Sequence, residues 1–62
     1  MTIDKIKHYI GSDLVNHFCG LTLEQLTKAK ADLLQDINTI KLPTDILFKR
    51  TIELELINNL LR

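Results

Sequence analysis

Residues 44–62 read as a helix with apolar side chains around too much of its circumference. Leu47, Leu54, Ile57 and Leu61 form one stripe, and Phe48, Ile52 and Leu56 form a second at i, i+4, i+8. A surface helix needs one apolar stripe for one core; two stripes ask for neighbours on two sides. Any fold of this chain must therefore set that helix in the middle. The identity of its second neighbour decides whether the chain stands alone or holds a partner.

A chain of 62 residues has room for one domain, taken as 1–62. Chains this short bury only roughly 60% of their unfolded surface. Small scaffolds usually add a disulfide, a metal or a second chain. The single cysteine, Cys19, excludes an internal disulfide. Eight basic and eight acidic residues cancel, so charge gives no steering toward nucleic acid or an anionic membrane. The same neutrality gives little protection against self-association. No apolar run approaches the ~20 residues of a membrane span. The N-terminus carries no apolar signal segment. With a lone thiol, these features lead us to expect a reducing, cytoplasmic setting.

Three helical segments are expected. The first covers about Ile3 to Phe18, with Thr2 as N-cap and Asp4 at the positive end of the dipole. Ile3, Ile6, Ile10, Leu14 and Phe18 share one arc, and that phase survives Gly11-Ser12, so the helix is expected to run through. A break at Gly11, with Ser12 capping a second piece, is the alternative. Gly20 sits where a positive φ is expected to end the helix. The second helix opens on a capping box, Thr22 with Gln25, and a staple of Leu21 on Leu26. Its apolar side is Leu23, Leu26, Ala29, Leu33, Ile37 and Ile40, with Leu34 at the edge. Glu24, Lys28, Asp32, Gln35 and Thr39 take the opposite side.

Pro43 ends that helix and Thr44 is expected to cap the third. So short a connection implies antiparallel neighbours. Folding about it pairs Ile40 with Leu47, Leu33 with Leu54, and Leu26 with Leu61. It also sets Arg50 opposite Ile37 and Lys30 opposite Ile57, where their stems can pack while the heads reach water. A strand over Thr51–Ile57, which alternates T-I-E-L-E-L-I, is the rival reading. The length of the helical pattern and the lack of a second strand decide against it.

Little in the chain carries chemistry. His8 and His17 fall on different helix faces, and Asp13 with His17 at i, i+4 leaves a zinc set incomplete. No metal or cofactor is expected. Cys19 lies near a helix C-terminus, which does not favour a thiolate, and reads as a small buried side chain. Glu53 and Glu55 point to different faces, and no phosphate loop or nucleophile–base pair is present, so no catalytic residue is assigned. The segment from Gly20 to Leu26 has the look of a helix-turn-helix start. The helix then runs on to Ile40 without the turn such a motif needs. A small dimeric DNA-binding regulator is the second functional reading.

The first reading rests on the Phe48, Ile52, Leu56 stripe. Either the first helix folds back over it, or it accepts a helix from another chain; both hold together if the cover is partial. The expected partner-binding residues are Phe48, Ile52 and Leu56 with Ile6, Ile10 and Leu14 of the first helix. The expectation is a non-enzymatic adaptor, chaperone or regulator, working with a protein partner or a second copy of itself.

A pattern from about Leu26 to Leu61 supports the same reading. A-D-L-L-Q-D-I-N, a short break, then R-T-I-E-L-E-L-I-N-N-L-L resembles the small helical-hairpin co-chaperones of type III secretion. The resemblance covers little more than half the chain. It leaves out Pro43 and the amphipathic segment before Gly20, and it transfers no functional residue. It implies a non-enzymatic cytoplasmic protein that helps a second, helical-repeat chaperone keep a needle subunit soluble. The fold expected overall is all-α: three helices, the second and third an antiparallel hairpin, the first packed across it.

Overall fold

Thr2 starts the first helix as its chemistry suggests: its Oγ1 accepts from the Lys5 N–H at 3.3 Å. In the computed structural model, which describes residues 2–39 and 41–62, α1 spans Ile3–Ile10 and α2 spans Ser12–Cys19. The longer helices are α3, Leu23–Thr39, and α4, Thr44–Leu61. No strand occurs among the described residues, and Thr51–Ile57 is helical throughout.

The count of three helices is corrected to four, because the first segment divides at Gly11. That residue has φ 93° and ψ 153°, a region that only glycine occupies without strain. Its N–H still donates to the Lys7 carbonyl at 2.8 Å, and its own carbonyl accepts from Val15 N–H at 3.3 Å. Gly11, not Ser12, is the N-cap of α2, and no side chain caps that end. The break rotates α2 relative to α1. Val15 and Phe18 then turn into the core, while Leu14, expected on the apolar arc, is only partly buried. Gly11→Ala adds a Cβ that meets nothing within 4 Å, so its cost is backbone strain alone. A loss of about 1–3 kcal/mol in urea unfolding is expected. An unchanged midpoint would mean that the chain runs straight through this position.

Two other end signals are corrected. Gly20 ends α2 in right-handed geometry, φ −84° and ψ −4°, with its N–H shared between the carbonyls of Asn16 and His17. A tight last turn satisfies those carbonyls, so the left-handed cap is not needed. At α4 the N-cap is Pro43, whose carbonyl accepts from Leu47 N–H at 2.9 Å, and Thr44 is already the first helical residue. The capping box of α3 is as read: Gln25 N–H donates to Thr22 Oγ1 at 3.2 Å, and Thr22 N–H to Gln25 Oε1 at 3.0 Å.

At 1.5 Å per residue, α3 and α4 are roughly 26 and 27 Å long. The molecule measures 29 × 26 × 18 Å, so the chain doubles back between them. They share the largest interhelical contact, and both α1 and α2 also pack on α4. The core is Ile6, Val15, Phe18, Leu26, Leu33, Ile52, Leu56 and Ile57. Leu54 and Leu61, placed in the hairpin seam from sequence, pack against it half-buried. Leu47 is exposed, and its expected partner Ile40 lies outside the described residues. On α3 the polar side is as expected, but Leu23 at the helix start, expected on the apolar side, is 67% exposed.

Candidate functional site

Helix α4 divides into two unlike halves. From Ile52 to Leu61 no residue is exposed, whereas from Thr44 to Thr51 every residue is. Helix α4 packs against α3, α1 and α2, as a helix with two apolar stripes requires. The uncovered half still carries three consecutive large apolar residues, Ile46, Leu47 and Phe48. At 100° per residue these span more than half the helix circumference, so no single neighbour can cover them all. Their exposures are 40%, 37% and 49%.

Tyr9, 47% exposed near the end of α1, joins this surface. Its ring meets Phe48 edge to face, with centroids 5.4 Å apart and planes at 80°, and His8 stands edge-on to Tyr9 at 5.7 Å. In such a pair the edge of one ring meets a face of the other, and both residues stay about half exposed. Tyr9 and Phe48 thus share one exposed apolar surface, and Ile46 and Leu47 are exposed on the same half of α4.

The six residues singled out from sequence separate accordingly. Ile6, Ile52 and Leu56 come together in the chain's own core, at 0%, 4% and 0% exposure. Ile10 and Leu14 pack half-buried against it. As folded, these five offer little to a partner, because α1 and α2 cover the C-terminal part of the second stripe. Phe48 alone of the six stands open. Tyr9 and Ile46 were not singled out. The signal for Ile46 was the Ile-Leu-Phe run itself; Tyr9 gave none, since it lies off the apolar arc of α1.

Glu53, considered in the sequence only as a carboxylate on a different face from Glu55, takes a buried place. It is buried on α4 among the core residues, and its Oε2 accepts from Arg50 at 3.0 Å. Arg50, expected at the seam with its head in water, instead folds along its own helix to meet this carboxylate at i+3. A buried carboxylate deprived of its cation is costly. Arg50→Ala should therefore cost about 1–3 kcal/mol, and Arg50→Ala with Glu53→Gln should recover part of it. A loss below about 0.5 kcal/mol in chemical denaturation would show that water serves Glu53 equally well.

The remaining candidates are surface features. Cys19, expected to be buried, is exposed at the end of α2. His17 lies at the surface with its ring against Phe18. Among the described residues no group of three or more His, Cys, Asp or Glu is placed to hold a metal, and these residues enclose no pocket. No described helix is long and apolar enough to cross a membrane. No protein-family model, curated protein or solved structure matches the chain.

Proposed function

We propose that this chain is a non-catalytic protein–protein interaction module whose docking surface is the open end of α4 with Tyr9. What carries the reading is the division of one stripe: Ile52 and Leu56 are buried, while Phe48, a single turn away, is half exposed and in edge contact with the exposed Tyr9. The exposed apolar surface of this half of α4 with Tyr9 amounts to roughly a few hundred Å², comparable to the largest apolar patch of a typical monomer, which is often functional. An interface built on it would be small and reversible. That suits an adaptor, chaperone or regulator that must release its partner, and a cytoplasmic setting where partners exchange. Buried aromatic anchors dominate binding energies, so Phe48 and Tyr9 are the expected hot spots.

The test is comparative capture. The immobilised chain and its Phe48→Asp variant are exposed to native host extract, and each variant is also weighed by sedimentation. A protein, or a second copy, held by the first and released by the second supports the reading. Identical behaviour of the two places the interaction elsewhere or removes it.

A further inference from the structure

Apart from that docking surface, we propose that the chain has a second form in which Gly11 turns helical, α1 and α2 join into one rod, and two copies exchange their α1 helices. The hinge is a single residue. On its α1 side the Gly11 N–H donates to the Lys7 carbonyl, and on its α2 side the Gly11 carbonyl accepts from Val15 N–H. Both have the i to i−4 spacing of an α-helix. What the bend leaves out is the pairing of Ser12, Asp13 and Leu14 N–H with the carbonyls of His8, Tyr9 and Ile10. No side chain takes over at the start of α2. Moving Gly11 from φ 93° and ψ 153° to helical values closes those bonds and keeps the ones within each helix.

The apolar pattern suits the joined rod. Ile3, Ile6, Ile10, Leu14 and Phe18 keep one phase through Gly11, and at 100° per residue they cover an arc of about 120°. Lys7 and His17 lie toward the two edges of that arc, where such side chains pack and keep their polar atoms in water. The bent form uses the arc poorly: Ile6 and Phe18 are buried, Ile10 and Leu14 are half-buried, and Ile3 is exposed. Glycine serves both forms, being free at φ 93° and only mildly unfavourable in a helix.

The joined rod cannot lie on its own α4 as the two helices now do. Each dihedral of Gly11 turns by roughly 150° or more to reach helical values. With Val15 and Phe18 of α2 kept in the core, α1 is therefore carried off α4. It is lightly held there, since Ile6 is its one buried residue. The face it vacates is already complementary to α1, so the α1 of a second copy fits it by identity. Two copies that trade α1 remake the α1–α4 contact between chains, Tyr9 on Phe48 included. They gain the hinge bonds and lose the freedom of two molecules, so the exchange grows with concentration.

The test compares the wild-type chain with synthetic full-length Gly11→Ala and Gly11→D-Ala variants, each folded at about 1 μM and at about 1 mM, a range over which mass action reveals a weak dimer. Sedimentation gives the association state, and amide exchange is read at Ser12, Asp13 and Leu14. The wild-type chain should be a monomer at the lower concentration and form a dimer at the higher. Alanine strains the bend and favours the rod at both hinges of a dimer, so its dimerisation should be at least about a hundredfold stronger. D-alanine suits positive φ and opposes a right-handed helix, so that variant should stay monomeric. In the dimers the three amides should exchange at least about tenfold more slowly than in the monomers. Nuclear Overhauser contacts between the Tyr9 and Phe48 rings should then run between chains in an isotope-mixed sample. A dimer whose three amides exchange as fast as the monomer's is joined through another surface and overturns the exchange. So do a monomer in which they are protected, a dimer that keeps the Tyr9–Phe48 contact within one chain, equal dimerisation of the two variants, and a wild-type chain that stays monomeric at the higher concentration. Should Gly11→Ala fail to fold, the contrast between the wild-type chain and the D-alanine variant carries the test.

Discussion

Ile52→Asp is expected to unfold this chain. Ile52 is 4% exposed, in the half of α4 that is enclosed along its length. The substitution loses the burial of an isoleucine, worth about 1.5–3 kcal/mol. It also forces a carboxylate into the apolar core, at a further cost of several kcal/mol. A core in a domain of this size rarely supplies more than about 3–5 kcal/mol. The sum exceeds that figure, so the far-ultraviolet circular dichroism should lose its helical bands at 25 °C. A variant that keeps its helices and instead changes only its association state would place Ile52 in an interface between chains.

Phe48→Asp, four residues earlier on the same stripe, should have the opposite profile. Half of the ring is already in water, and what is lost inside the chain is partial burial and the edge contact with Tyr9. About 1–2 kcal/mol covers both. The chain should remain folded with a lowered melting temperature. Binding of a partner should fall by about thirtyfold or more, the loss of an aromatic hot spot worth at least about 2 kcal/mol. A variant as unstable as Ile52→Asp would show that Phe48 belongs to the core in solution. Unchanged binding with unchanged stability would show that the open end of α4 is not where partners dock.

The parts of this fold legible in the sequence are those decided within one turn of chain. The Thr22–Gln25 capping box, the Thr2 cap and the polar side of α3 depend on neighbours three or four residues away, and the sequence places those neighbours directly. Gly11 was harder. Ile10 and Leu14 keep helical phase across it, so periodicity argued for continuity against the glycine. The structure breaks there, and Val15 takes the place in the core that a continuous helix would give to Leu14. Glu53 was illegible for a related reason: a carboxylate at a core-facing position reads as a solvent position until its cation at i−3 is seen.

The docking surface was legible only in part. The two stripes of α4 announce that it needs two neighbours, but a helix of this chain and a helix of another present the same kind of apolar face. Sequence therefore could not say where internal cover stops. It stops between Thr51 and Ile52. Tyr9 was lost because its partner, Phe48, is distant in the chain and the contact exists only once α1 lies on α4.

Hydroxyl-radical footprinting of the dilute chain, read residue by residue by mass spectrometry, tests this division of α4 most directly. Phe48, Leu47, Ile46 and Tyr9 should be oxidised readily, and Ile52, Leu56 and Ile57 should be protected until the chain is denatured. Equal protection of Phe48 and Leu56 in a monomer, or equal oxidation of the two, would contradict it.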